Sequence, residues 1–169
     1  MPSLGECVPF WPQHLKLTIP SKVLGVIVRI ENQDFYILVT HLISRRGSND
    51  AKRLAQATVI RRHGVMAMIE AQNVIVMGDF NDTPGTPVLR RIRGFDDIWG
   101  NFIQTANEVP SAERFTYTYQ GQQNLLDHIL LSPSLYQDFR GISQADRCGI
   151  VDLENLSDHA GVVARLRVR

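Results

Sequence analysis

The sequence predicts a layered α/β domain, and three observations lead to that prediction. Two β-rich runs, "VLGVIVRI" and "FYILVTH", are separated by the turn-forming residues "ENQD", which is typical of a β-hairpin. An amphipathic helical pattern follows, and after it comes the short, continuously apolar run "NVIVMG". Such a run is characteristic of a strand covered on both faces, so the chain has the element order of an α/β domain.

Size and charge restrict the functional classes. The chain has 169 residues, of which 44% are apolar, as expected for one globular domain. Residues 45–93 contain nine basic and four acidic side chains, whereas residues 94–169 contain six basic and ten acidic ones. This distribution suits an anionic substrate beside a cation held by carboxylates, although two differently solvated faces would explain the counts equally well.

Cysteine content and hydropathy exclude other classes. Cys7 and Cys148 are the only cysteines, so the sequence predicts neither a disulfide framework nor a zinc site of Cys/His type. No apolar run approaches the roughly 20 residues of a membrane span, and the first residues lack the features of a signal peptide. As written, the sequence favours a soluble, cytoplasmic protein, and a signal on an upstream segment would change that expectation.

The chain divides into an irregular segment, residues 1–22, and a domain, residues 23–169. Four prolines and the lack of any period predict that the first segment is irregular. Inside the domain, a helix is predicted at about 51–71, with Asn49 or Asp50 as its cap and Gly64 weakening its middle. The apolar face of this helix is predicted to contain Leu54, Ala57, Ile60, Val65 and Met68. Later elements are a short helix, "PVLRRI", and β-structure in "FTYTY", in "LLDHILL", near "GISQADR" and in "GVVARLRV".

The apolar strand leads directly into "GDFND". Asp79 and Asn81 stand two residues apart, so they point the same way if the strand geometry persists. A carboxylate beside an amide can orient a water molecule and bind the oxyanion that develops on a phosphate. An Asx-turn that begins at Asp79 explains the same residues without any function.

Two Asp-His dipeptides follow. In "LLDHILL", Asp127 and His128 face opposite sides of a strand, and a buried aspartate needs a partner. Near the C-terminus, "SDHAGV" provides Asp158 and His159. An aspartate that contacts a histidine fixes the tautomer of the imidazole and raises its basicity, although each dipeptide alone also fits an ordinary turn.

A basic group follows the second strand. His41 ends that strand and precedes Arg45 and Arg46, where the three side chains could bind phosphate oxygens. Arg53 and Gln56, in the first turns of the helix, could face the same cleft. The alternatives are a structural histidine and a solvated helix face.

Taken in order, five motifs resemble the endonuclease/exonuclease/phosphatase superfamily, the deoxyribonuclease-I-like metal-dependent phosphoesterases. These motifs are the strand that ends at His41, "DAKRLAQ", "GDFND", "LLDHILLS" and "SDHAGV". The resemblance implies part of a four-layer α-β-β-α sandwich that lacks its N-terminal strands.

The resemblance also implies roles for individual residues. His159 would be the general base, oriented by Asp127, while Asp79 and Asn81 would position the nucleophile and stabilise the transition state. His41 would bind the scissile phosphate, and Arg45, Arg46 and Arg53 would bind the substrate. Asp158 would contribute to a site for Mg²⁺ or Mn²⁺, the cations that oxygen ligands favour. The implied substrate is a phosphate ester, foremost DNA or RNA.

The sequence departs from the family upstream of His41. Family members have an N-terminal strand with an asparagine and then a metal-binding glutamate, whereas the glutamates here are Glu6, in the irregular segment, and Glu31, in a hairpin turn. A catalytically impaired fragment that binds a partner, or associates with itself through an exposed sheet, is therefore the alternative to an enzyme. Lipids and small phosphodiesters remain alternative substrates, and the loop at 101–114 is expected to select among them.

Overall fold

The computed structural model describes residues 23–45, 47, 49–70, 73–95 and 100–168. The segment 1–22, predicted to be irregular, lies outside these residues. The described residues form nine strands: β1 Val23–Ile30, β2 Gln33–His41, β3 Val74–Asp79, β4 Ile103–Gln104, β5 Tyr117–Tyr119, β6 Gln122–Asn124, β7 Asp127–Leu131, β8 Cys148–Val151 and β9 Gly161–Ala164. The helices are α1 Asp50–Glu70, α2 Pro87–Arg93, α3 Tyr136–Arg140 and α4 Gln144–Arg147, with 3₁₀ turns at Thr105–Glu108, Ser111–Glu113 and Pro133–Leu135.

The central feature is a five-stranded sheet with the strand order β1-β2-β3-β7-β4. β1 and β2 form the predicted hairpin, with Ile30 opposite Gln33 and Glu31 in the turn. β2 and β3 are parallel and are connected through α1, whereas β7 is antiparallel to both β3 and β4. The predicted strand–helix–buried strand order is therefore confirmed as a β-α-β crossover.

Two hydrophobic cores cover the two faces of this sheet, because side chains alternate along each strand. On one face α1 and α2 pack over Leu38, Val74, Val76 and Leu130. On the other face Phe35 and Leu131 pack with residues of β8 and β9, which form a separate antiparallel pair. Helices, a large sheet and a small second sheet thus form successive layers.

Most residues of the predicted apolar face of α1 are buried, but the prediction is wrong for Leu54. Ala57, Ile60 and Val65 are buried, whereas Leu54 is 37% exposed because the neighbouring Arg53 occupies the inward position in that turn. None of the helices among the described residues is long and apolar enough to cross a membrane.

Gly64, predicted to weaken the middle of α1, has a packing role. A Cβ atom at this position would lie 2.9 Å from Cζ of Phe102, whose ring is fully buried. The glycine therefore permits close approach of α1 to the segment before β4.

The strand predicted near residues 141–147 is a helix instead. The backbone N–H groups of Asp146 and Arg147 donate to the carbonyl oxygen of Ser143, and the hydroxyl of Ser143 donates to the carboxylate of Asp146. Serine followed three residues later by an acidic residue is a helix-start pattern, so α4 forms here and β8 begins only at Cys148.

Candidate active site

Three polar side chains form a row across the end of the large sheet. The strand register pairs His41 with Asp79, and Asp79 with Asp127. The three residues therefore share the sheet face that packs toward β8 and β9. Nε2 of His41 lies 3.5 Å from Oδ2 of Asp79, and each of these side chains is at least partly accessible to solvent.

Asp79 and Asn81 are connected by a turn and not by continued strand geometry. Asn81 has a φ of 49°, in the left-handed region, and its backbone N–H donates to Oδ1 of Asp79 at 2.7 Å. Its side-chain Nδ2 donates to Oδ2 of Asp79 and to the carbonyl oxygen of Leu42, both at 3.0 Å. The Asx-turn is present, and this turn brings the two polar side chains together.

His159 joins the row through Asp127. Nδ1 of His159 lies 2.7 Å from Oδ2 of Asp127, so Nδ1 carries the proton that is donated to the carboxylate and Nε2 is left as the basic nitrogen. A β-bridge aligns His159 with Tyr117, and the two rings are 4.8 Å apart between centroids. Asp127 therefore contacts a histidine that comes from elsewhere in the chain.

Burial raises the pKa of Asp79 above its ordinary value. The backbone N–H of Asn81 opposes this shift, and the charge of Asp127 adds to it. Two carboxylates that face each other in a half-buried place repel each other, so a nearby cation would stabilise the charged form of both.

The same residues fit a divalent cation. Among the described residues, ligand atoms of Asp79, Asp127 and His159 lie within 4.8 Å of one another. Mg²⁺ is commonly held by one or two carboxylates with water in its remaining positions, and Asp79 and Asp127 supply two. Asp158, the predicted metal ligand, is exposed and lies outside this group.

The basic residues differ in their positions. Arg45 is 56% exposed, and its guanidinium lies 3.5 Å from Oδ1 of the buried Asp82. Arg46 lies outside the described residues. Arg45 therefore remains a candidate for contact with substrate, held near the site by Asp82.

Arg53 requires a correction. Its side chain is 1% exposed, so the prediction that it contacts substrate is wrong for this structure. The guanidinium donates to Oδ2 of Asp82 at 2.6 Å and to the carbonyl oxygens of Ile43 and Asn81. Gln56 accepts from the backbone N–H of Ile43 at 3.2 Å. Two side chains of α1 thus fasten the loops that follow β2 and β3.

Asp82 and His128 were not predicted to act together. Nε2 of His128 lies 2.8 Å from the carbonyl oxygen of Asp82, and the imidazole packs against Phe80 on the helix side of the sheet. Asp127 and His128 therefore do face opposite sides, as expected. The sequence signal for Asp82 is a second acidic residue in "GDFND", directly after the turn.

The segment at 101–114 is less available to a substrate than expected. Phe102, Gln104, Thr105, Ala106 and Val109 are buried, so its first half belongs to the core.

The fold is shared with solved structures. The 3′ phosphatase NExo from Neisseria, bound to a product DNA hairpin, is 14% identical with a TM-score of 0.61, over 87% of this chain and 65% of that one. TDP2 from D. rerio, complexed with a single-strand DNA product, is 18% identical with a TM-score of 0.56, over 86% and 61%. The human Nocturnin catalytic domain is 21% identical with a TM-score of 0.55, over 84% and 50%. The chain thus spans between 50% and 65% of the length of these three structures.

Sequence comparison gives the family. No curated protein matches the chain. Residues 14–163 match the sequence model of the Endonuclease/Exonuclease/phosphatase family, which is most of the chain. The chain therefore belongs to the Endonuclease/Exonuclease/phosphatase family, and it has the deoxyribonuclease-I-like fold predicted from its motifs.

Proposed function

We propose that the chain carries the hydrolytic centre of a metal-dependent phosphoesterase that cleaves phosphodiesters in nucleic acid. The observation that carries this proposal is the pairing of His159 with Asp127, in the row that also contains Asp79. An oriented imidazole beside two acidic groups can remove a proton from water near a phosphate.

Each residue has a role that follows from its contacts. Nε2 of His159 takes a proton from the attacking water, and Asp127 holds the imidazole in the required tautomer. Both hydrogens of the Asn81 amide are already donated, so Asn81 fixes the Asp79 carboxylate, which orients the water. Stabilisation of charge on the phosphate then falls to His41 and Arg45, at the accessible edge of the site.

Asp79 and Asp127 would hold the metal, and Asp158, which is exposed and outside their cluster, would add a ligand from the adjoining loop. A bound divalent cation would neutralise negative charge on the phosphate and on the leaving oxygen. Mg²⁺ or Mn²⁺ suits carboxylate donors better than softer metals do.

Nucleic acid is the substrate class that the comparisons favour. The Neisseria structure contains a DNA hairpin product, and the D. rerio structure contains a single-strand DNA product. The excess of basic residues at 45–93 agrees with a polyanionic substrate.

The test is chelator-sensitive hydrolysis by the 169-residue chain. The substrates are single-stranded DNA, a phosphoinositide and bis-p-nitrophenyl phosphate, each with Mg²⁺ or Mn²⁺. His159→Ala should reduce the rate on DNA by at least about 100-fold, the lower end of what a general base contributes. Asp34→Asn is the matched control, because Asp34 is at the opposite end of β2 and forms an ion pair with Arg29 on the surface.

The outcomes separate the alternatives. Hydrolysis that persists in His159→Ala would refute the assigned base, and faster turnover of the phosphoinositide than of DNA would refute the substrate class. A folded chain without turnover in either metal would favour the non-enzymatic fragment.

A further inference from the structure

The hairpin of β5 and β6 presents four side chains on one face. Its strands are joined by residues 120–121, which both have positive φ, as a type I′ turn requires. Tyr117 is opposite Asn124, and Tyr119 is opposite Gln122. Because opposite residues of an antiparallel pair lie on the same face, these four form one surface, which we call the tyrosine–amide face.

The tyrosine–amide face begins at the candidate active site. The Tyr117 ring packs against the imidazole of His159, with an interplanar angle of 36°. The Tyr117 and Tyr119 rings are nearly parallel, at 6°, with centroids 6.4 Å apart. Tyr119 is 54% exposed, so an aromatic surface leads from the proposed base out to solvent.

The chemistry of this face suits a neutral, planar group. The hairpin sequence "YTYQGQQN" contains no charged residue, so it cannot hold a phosphate by charge. Its tyrosine rings offer surfaces for stacking, and its amides offer both donors and acceptors. A nucleobase is planar and has hydrogen-bonding edges, whereas an acyl chain would leave the amides without partners.

We infer that the tyrosine–amide face is a subsite for an unpaired nucleobase next to the scissile phosphate. The inference rests on the proposed function, because that function places the phosphate beside His159. A base within a duplex is already stacked on both sides, so this subsite favours single strands and frayed ends.

The test is binding by fluorescence anisotropy without turnover, in the presence of a chelator. The probes are a labelled single-stranded oligothymidylate and an abasic strand with the same number of phosphates. The wild-type chain should bind the oligothymidylate about tenfold more tightly, as expected for stacking of one base. Tyr119→Ala and Tyr119→Leu should abolish the preference, while Tyr119→Phe should retain it.

Tyr136→Ala is the matched control, because Tyr136 is also exposed but lies on α3. The inference would be overturned if the wild-type chain bound the oligothymidylate and the abasic strand with equal affinity. It would also be overturned if Tyr119→Ala lowered the affinity for both strands by the same factor. A chain that prefers the base-containing strand but hydrolyses no phosphodiester would support the subsite and refute the proposed function. Hydrolysis of DNA without that preference would refute the subsite alone.

Discussion

Asn81 meets two requirements at one position. Its backbone is in the left-handed region, which asparagine tolerates better than most residues, and its amide holds the Asp79 carboxylate. These two requirements can be separated by substitution, because glycine satisfies the first without the second.

We predict that Asn81→Gly is more stable than Asn81→Ala, by about 1 kcal/mol, and that both variants lose hydrolysis. Alanine adds strain at positive φ, whereas glycine does not. Urea denaturation gives the free energies of unfolding, and an Asn81→Ala variant as stable as Asn81→Gly would contradict the expectation.

His63 makes stability depend on pH. Burial lowers its pKa, and the charge of Arg62 lowers it further. Below the ordinary histidine pKa of about 6.5, the unfolded chain therefore binds a proton that the folded chain does not, so the free energy of unfolding falls as pH decreases.

We predict that wild type loses more stability than His63→Gln between about pH 7.5 and about pH 5.5. Buried His128 has a pKa lowered by the same cause, so the variant should retain part of the pH dependence. Urea denaturation at each pH measures the free energy of unfolding of both proteins. If the two free energies changed equally with pH, His63 would be excluded as a source of the pH dependence.

At the scale of elements, α1 supports the site through its first turns. The buried pair of Arg53 and Asp82 connects the helix to the loop after β3, and Gln56 holds the loop after β2. Removing Arg53 would deprive the buried Asp82 carboxylate of its buried partner and leave the exposed Arg45, 3.5 Å away, as its charged neighbour.

We predict that Arg53→Met reduces the free energy of unfolding by about 3–5 kcal/mol. Arg53→Met combined with Asp82→Asn should lose less than the sum of the single changes, because no charge remains buried alone. Chemical denaturation of the wild type, the two single variants and the double variant gives a double-mutant cycle. Additive losses of stability would show that the two side chains act independently.

Strand periodicity explains why much of the site could be predicted from sequence. Alternation along β7 predicted that Asp127 and His128 face opposite sides, and the cost of burying Asp127 indicated a histidine partner from elsewhere in the chain; in the structure Asp127 contacts His159. The burial of Arg53 could not be predicted in this way, because helix patterns assign arginine to solvent and its carboxylate partner lies 29 residues away.

Turns and tertiary packing account for the remaining differences. The hydrogen bonds of the Asx-turn at Asp79 replace the assumed strand geometry, and the contact of Gly64 with Phe102 depends on two elements far apart in sequence. Ser143 followed by Asp146 is a helix-start pattern in the sequence, but the β-rich residues nearby led to the prediction of a strand.

For the whole molecule, cation binding should couple to stability. A cation that binds only the folded chain raises the free energy of unfolding, by about 1.4 kcal/mol at a concentration ten times its Kd. The carboxylates of Asp79 and Asp127 belong to different strands, so their joint ligation would tie β3 to β7.

We predict that Mg²⁺ or Mn²⁺ raises the Tm of the wild-type chain by about 3–6 °C under that condition. Asp79→Asn and Asp127→Asn should remove the response, and Asp34→Asn should keep it. Differential scanning fluorimetry makes the comparison, and an undiminished shift in Asp79→Asn would exclude that carboxylate as a ligand.

The row of His41, Asp79 and Asp127 also makes the site sensitive to strand alignment. The three residues are neighbours only in one register of β2, β3 and β7. Deleting a single residue within β3 would turn Asp79 toward the helices while the ladder could still pair. Deletions of two residues would preserve the facing direction but displace the carboxylate by about 7 Å along the strand. The rate of hydrolysis would therefore show whether the three strands are aligned in this register, because strand pairing alone is compatible with several registers.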